Sequence, residues 1–465
     1  MKFIYTSILP LAFTAQQTMW SPSSWKAFPS QQIPLYPDPV GLETVKTEIR
    51  KMPPLVFAGE IRRLKSELVE AGKGNAFVLQ AGPCAETFAQ QDVHELKRLL
   101  TLMIQTSLIM SFGLEKKVIR IGRIAGQYAK PRSEDFESDG TTLTYRGDIV
   151  HDYETRSIDP ERLRRAYYAS ATVLNALRGF AGSGELDLEE IRSWMLPVEP
   201  SGEPYPQLND FVETLDKTMR FVKNSGGTPT RREEPEFYTS HEALLLHYEE
   251  PLTRCEQKTG LIYNCGAHTV WLGERTRDSP AHLEYLRGIE NPIGIKVGAT
   301  TNPQALVDLC RLLNPLQEEG KIMIISRMGS DHIMRALPPI VEALKRERIP
   351  FVLMSDPCHA NTQKVNGVKT RFISSILQEI RSFFEVCERM GVPAGGIHLE
   401  ISGSETLTEC VGQNVSEEDL KGENYSTLVD PRLNNLQTLD VAFFVASLLH
   451  HHKNIASTDG RLQKT

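Results

Sequence analysis

Eight short apolar runs, each closing on a polar or reactive residue, constrain the fold more than any other feature of the sequence. They cover residues 76–79 ahead of Gly82-Pro83-Cys84, 118–121 ahead of Arg123, 237–239 ahead of Ser240-His241-Glu242, and 269–272 ahead of Glu274-Arg275. The other four are 293–295 ahead of Lys296, 322–325 ahead of Arg327, 351–354 ahead of Asp356 and His359, and 397–399 ahead of Glu400. Strand-like runs alternating with helical patterns at this spacing mean parallel pairing. Amphipathic helical patterns lie between most of them, for example 303–319, 333–348 and 370–390. Eight strand–helix units favour a closed α/β barrel, a (β/α)8 TIM barrel, over an open sheet. In that fold chemistry sits at the C-terminal ends of the strands, where the reactive residues fall.

The remaining text divides around that repeat. Residues 1–72 read as an N-terminal extension: a Pro-, Ser- and Gln-rich extended arm over 20–54, then a helix over 57–72 ending on Gly72. The arm serves as a surface strap or an oligomer contact. Residues 73–465 form the catalytic barrel. The interval 134–235, after the second strand, is too long for one crossover and holds a helical insertion, with helices expected over 159–178 and 207–222. A last helix over 438–449 closes the barrel. The triple histidine 450–452 reads as its solvated end rather than as a metal site.

Composition excludes several partners. The formal net charge is −7, with no block of like charge, so a nucleic-acid footprint is absent. No apolar run reaches the roughly 18 residues of a membrane span. The seven cysteines are scattered without a CxxC pair, which argues for reduced thiols and a cytoplasmic location. Residues 1–15 resemble a secretory signal only faintly.

Against the negative total, the stretch from Val118 to Ser133 carries four basic residues and no acidic one. Arg123, Lys130 and Arg132, with Arg275, Lys296 and Arg327, all follow expected strands. Six cations at one barrel mouth exceed what a single phosphate needs and imply two phosphates and a carboxylate. A solvated basic loop is the plain alternative for the first stretch. Glu274 beside Arg275 either orients that guanidinium or binds a water. Cys84, His359, Glu400 and Asp430 form a mixed donor set suited to a divalent transition ion such as manganese, cobalt, iron or zinc. A nucleophilic Cys84–His359 pair is the other reading of the same residues.

Several longer stretches carry a resemblance. GPCAETF (82–88), RIAGQYAKPRS (123–133), YRGD (145–148), SHEAL (240–244), WLGERTR (271–277), SRMG (326–329), DPCH (356–359) and DPRLN (430–434) together resemble the class II, plant and microbial, 3-deoxy-D-arabino-heptulosonate 7-phosphate (DAHP) synthases. The resemblance runs over residues 20–450. It implies a metal-dependent condensation of phosphoenolpyruvate with erythrose 4-phosphate at the head of the shikimate pathway, in a homo-oligomer. It further implies Cys84, His359, Glu400 and Asp430 as ligands, Mn²⁺ being the first choice of ion. Arg123, Glu274, Arg275, Lys296 and Arg327 correspond to the phosphoenolpyruvate site, Lys130 stands between the substrates, and Arg132 with Ser133 corresponds to the erythrose phosphate end. The family usually has Gly-Asp-Cys where this chain has Gly82-Pro83-Cys84, and Met-His-Gly-Asn where it has Cys358-His359-Ala360-Asn361. A lapsed or secondary-metabolism paralogue using another aldose is therefore the alternative.

Overall fold

The computed structural model describes residues 19–89, 92–183 and 237–462, with side chains as far as 448, together with the isolated helical positions Glu213 and Lys217. Eight parallel strands close into a barrel. In chain order they are β1 (Ala76–Gly82), β2 (Lys117–Gly122), β3 (Phe237–Glu242), β4 (Thr269–Leu272), β5 (Ile293–Val297), β6 (Ile322–Ser326), β7 (Val352–Ser355) and β8 (Gly396–Glu400). Each pairs with its sequence neighbours, and β8 returns to β1 with Gln80 opposite His398 and Gly82 opposite Glu400. All eight expected strands are present. Strand β3 runs on through Ser240-His241-Glu242 because those polar groups find partners inside: Ser240 Oγ donates to the Gly122 carbonyl, and His241 pairs with Glu249.

The N-terminal region departs from an extended arm. A helix, α1 (Pro39–Lys51), interrupts it. Pro39 sits in the first turn, where a missing N–H costs nothing, and the Asp38 side chain caps the Gly41 N–H at 2.8 Å. Leu42, Val45 and Ile49 then bury one face. The next helix, α2 (Ala58–Gly72), stands under the barrel. Its Leu64, Leu68 and Ala71, spaced for one helical face, form one cluster with the inward side chains Ala76, Val78, Ile119, Ile121, Tyr238, Met323, Ile325, Val352 and Met354. The floor of the barrel is thus plugged with hydrocarbon, and Trp271 caps that layer from above.

Outside the barrel run α3 (Val93–Leu114), α4 (Glu161–Ser183), α5 (Leu246–Leu252), α6 (Pro280–Leu286), α7 (Pro303–Leu313), α8 (Ile333–Arg346), α9 (Ile373–Met390) and α10 (Asn435–Leu462). Helix α4 belongs to the insertion and packs on α1, where Arg164 meets Glu48 at 2.8 Å and the Tyr167 hydroxyl donates to the Pro53 carbonyl. The helix expected over 207–222 lies outside the described residues except for Glu213 and Lys217, both helical and paired at 2.5 Å. Helix α10 packs along α3, Gly113 leaving room for Ala446. Closure comes from the β8–β1 pairing rather than from α10. That helix continues through the triple histidine instead of ending there. Two short antiparallel ribbons, 253–264 and 363–370, were not foreseen. Among the described residues, no helix is long and apolar enough to cross a membrane.

Candidate active site

Above Trp271 the barrel interior turns polar. On β1 the inward series 76, 78, 80 ends in Gln80, and on β8 the series 396, 398, 400 ends in His398 and Glu400, all fully buried. Gln80 bonds Ser240 at 3.0 Å and His398 Nδ1 at 2.8 Å. The other His398 nitrogen faces Arg123 Nη1, which can only donate, so Nε2 accepts and Nδ1 carries the proton. Burial, with Lys296 and Arg123 nearby, holds this imidazole well below its ordinary pKa and hence neutral. Gly82 ends β1 at a φ of 153°, and any β-carbon there would lie 2.9 Å from the Arg123 carbonyl. Only glycine lets the two chain segments approach so closely.

Beyond β1 and β2 the loops bring the expected residues together. Cys84, Glu400 and Asp430 place one ligand atom each within 4.8 Å of one another. His359 joins them through Glu400, its Nε2 lying 3.0 Å from Oε1. Its Nδ1 lies 2.7 Å from Asp356 Oδ2. Asp356, His359 and His398 form a second cluster of the same kind, so His359 stands between the two. Lys130 Nζ occupies the centre of the first cluster, 2.9 Å from Cys84 Sγ, 2.8 Å from Asp430 and 3.9 Å from Glu400.

The charges balance in pairs. Burial opposes the ammonium of Lys130, but Asp430, Cys84 and Glu400 outweigh it and hold its pKa above the ordinary value. Burial likewise opposes the Glu400 carboxylate, which His359, Lys130 and Arg371 nonetheless keep well below the usual range. Asp430 is depressed in the same way, burial being overcome by Lys130. The Cys84 thiol is pushed up to about 12, first by burial and then by the Glu400 charge. Arg123 bonds Glu400 and the Cys84 carbonyl, each at 3.0 Å, and lies over the Trp271 ring. Lys296 donates to Asp356 at 2.8 Å.

Away from this buried core lie the outer cations. Arg275 is exposed and donates to Ser133 Oγ at 2.6 Å. Arg327 pairs with Glu274. Glu274 therefore orients Arg327, not its neighbour Arg275. Arg132 is half-buried, and its backbone is held by the side chain of Gln32.

Sequence reasoning missed four supports. Arg371, fully buried, bonds the second Glu400 oxygen at 2.6 Å, and Lys369 bonds Asp430 at 2.8 Å. Both leave a ribbon too short to read from pattern. The buried Glu86 carboxylate accepts the N–H groups of Ala125, Gly126 and Gln127, at 3.0, 2.9 and 2.7 Å. It thereby holds Ala125 at a left-handed φ of 61° and fixes the loop between Arg123 and Lys130. Glu379, on α9, accepts from the Met328 and Gly329 N–H groups and from Asn361, joining the loops of Arg327 and His359. An acid inside an otherwise amphipathic helix was the available signal.

A model of the class-II DAHP synthetase family matches residues 20–446. The chain belongs to that family. It is 40% identical over 439 residues to the phospho-2-dehydro-3-deoxyheptonate aldolase of Streptomyces coelicolor, covering 92% of this chain and 96% of that one. It is also 40% identical over 453 residues to the enzyme of the same name from Neurospora crassa, covering 92% and 94%. A solved structure of such an aldolase from Francisella tularensis aligns more loosely, at 16% identity and a TM-score of 0.44 over 88% of this chain and 96% of that one.

The family's metal dependence fits the donors present. Three groups that take negative charge converge on one point, occupied here by the Lys130 ammonium, and donors of this kind suit a divalent ion. The two departures from the family text leave this geometry intact. Ala360 lies in a right-handed turn (His359–Asn361), outside the left-handed region where glycine is needed. Pro83 acts through its carbonyl, which accepts from Arg123 Nε at 3.2 Å.

Proposed function

We propose that this chain condenses phosphoenolpyruvate with D-erythrose 4-phosphate and water to DAHP and inorganic phosphate. The observation that carries the reading is the meeting of Cys84, His359, Glu400 and Asp430 with Arg123, Lys130 and Lys296 at one barrel mouth, in a chain of this family. Cys84, His359, Glu400 and Asp430 would hold the divalent ion, Mn²⁺ first and Co²⁺, Fe²⁺ or Zn²⁺ as substitutes. Bound there, it would supply Lewis acidity toward the aldehyde oxygen.

The residues do the rest. Lys296, Arg327 and Arg275 bind the phosphoenolpyruvate anion, and Arg132 with Ser133 binds the aldose phosphate. Held together, the substrates place the nucleophilic C3 carbon of the enol against the aldehyde carbon without a costly encounter of two anions. Charge then develops at C2, where a water adds. Lys130 acts as a donor, orienting that water. Glu274, paired with Arg327, takes the water's proton. The adduct then breaks its C2–O bond to phosphate, and the leaving charge is met by Arg275, Arg123 and Lys296.

The test follows phosphoenolpyruvate loss and phosphate release together, in chelator-stripped protein given Mn²⁺ and erythrose 4-phosphate, then given other aldose phosphates. Equal rates that require both metal and erythrose 4-phosphate support the proposal. Turnover only with another aldose points to a secondary pathway. No turnover with any metal, in protein that still binds phosphoenolpyruvate, leaves a binding subunit.

A further inference from the structure

The N-terminal arm is seated on its own barrel and reaches the substrate end of the site. Trp20 Nε1 donates to the Glu284 carbonyl at 2.8 Å, Trp25 Nε1 to Glu250 at 3.2 Å, and the Pro29 carbonyl accepts the Ala281 N–H at 3.2 Å. Tyr36 is buried edge-on against His247. Between these anchors, Gln32 turns back with a φ of 63°, a conformation that a side chain of this size rarely adopts unless its surroundings impose it. The turn aims its amide at Arg132, 100 residues away in sequence. Oε1 accepts the Arg132 N–H at 2.9 Å, and Nε2 donates to the Arg132 carbonyl at 3.0 Å. The amide thus copies one rung of a β-ladder and fixes both polar groups of a single peptide residue. Arg146 Nη1 reaches the same Oε1 at 3.4 Å, and the Arg146 carbonyl accepts the Lys130 N–H at 2.9 Å. The loop from Lys130 to Arg132 is therefore pinned from outside by the arm, as Glu86 pins its start from inside.

We propose that Gln32 is a positioning residue: through the backbone of Arg132 it sets the direction of that guanidinium and hence the affinity for the phosphate of the aldose substrate. The inference rests on Arg132 serving the aldose phosphate. Gln32 touches no reacting atom, so the effect falls on binding of one substrate. The N-terminal arm then contributes to specificity as well as to packing.

Steady-state kinetics of the full-length Mn²⁺ enzyme test this with Gln32→Ala, Gln32→Gly, Arg132→Ala and the double variant Gln32→Ala/Arg132→Ala. Glycine accepts the left-handed turn freely, so Gln32→Gly removes the amide without adding backbone strain. Both Gln32 variants are expected to raise KM for erythrose 4-phosphate about five- to twentyfold, the worth of two hydrogen bonds. KM for phosphoenolpyruvate and kcat stay within about twofold, and the double variant is no worse than Arg132→Ala. A wild-type KM in Gln32→Gly, or equal rises in KM for both substrates, overturns the inference. An unchanged KM for erythrose 4-phosphate in Arg132→Ala overturns instead the assignment of Arg132, whatever Gln32 does.

Discussion

The two ends of this barrel are built from opposite materials, and two buried lysines make the contrast concrete. At the upper end Lys130 sits among Cys84, Asp430 and Glu400, which hold its charge firmly. At the lower end Lys321, just before β6, is buried and donates to the Ile289 carbonyl. Burial pulls its pKa down to about 7, against the weaker support of Glu290. The lower end is stabilised by hydrocarbon, Leu64, Leu68 and Ala71 filling the floor under eight strands. The upper end is a lattice of charges that satisfy one another and would be costly singly. The lower end contributes stability alone, and the upper end contributes stability and chemistry together.

The widest separation should come from one substitution at each end. Glu400→Gln leaves Arg123 and Arg371 buried without their carboxylate and is expected to abolish turnover while lowering stability by about 3–5 kcal/mol. Leu68→Ala is expected to lower stability by about 2–5 kcal/mol through the cavity it opens, with kcat and both KM values unchanged. Urea unfolding beside steady-state kinetics reads both. A large loss of turnover in Leu68→Ala would break the division between the two ends.

The lysines sharpen it through pH. Below about pH 7 both folded and unfolded chains carry a proton on Lys321, so its burial penalty is fully present. Between about 7 and the ordinary value of 10.5 the unfolded chain binds more protons, so this contribution makes stability rise with pH. Lys321→Met should flatten that rise and raise stability near pH 7 by about 1–3 kcal/mol. Lys130 has the opposite sign: its support is complete below 10.5 and is lost as pH climbs through its raised folded value. Lys130→Met should therefore destabilise at neutral pH. Denaturant midpoints across pH for both variants decide the matter.

The smallest expected effect is at Glu379, which lies beside the charged end without facing its centre. Burial raises its carboxyl to about 7, while three donors hold it in place. Glu379→Gln turns one acceptor into a donor facing Asn361. It is expected to raise KM for phosphoenolpyruvate about three- to tenfold through the Arg327 loop. An unchanged KM would remove Glu379 from the substrate end.

The strands were legible because parallel strands buried on both faces leave apolar runs, and because each run stops at the residue it delivers. Helix α1 was hidden by Pro39, which reads as a breaker unless Asp38 is recognised as its cap. In the candidate site the residues at strand ends could be named, but their pairing could not. Glu274 was set beside Arg275 by sequence and meets Arg327 in space. Arg371, Lys369 and Gln32 reach the site from a ribbon and an arm, where neither periodicity nor composition signals a partner.

The most direct test of the charged upper end is a Co²⁺ titration of chelator-stripped protein, followed by the thiolate-to-metal absorption in the ultraviolet, beside Cys84→Ser. One equivalent of Co²⁺ should bring up the band and restore phosphoenolpyruvate consumption together, and Cys84→Ser should lose both while remaining folded. Restored turnover with no thiolate band, or a Cys84→Ser variant as active as the parent, would contradict a metal held among Cys84, His359, Glu400 and Asp430.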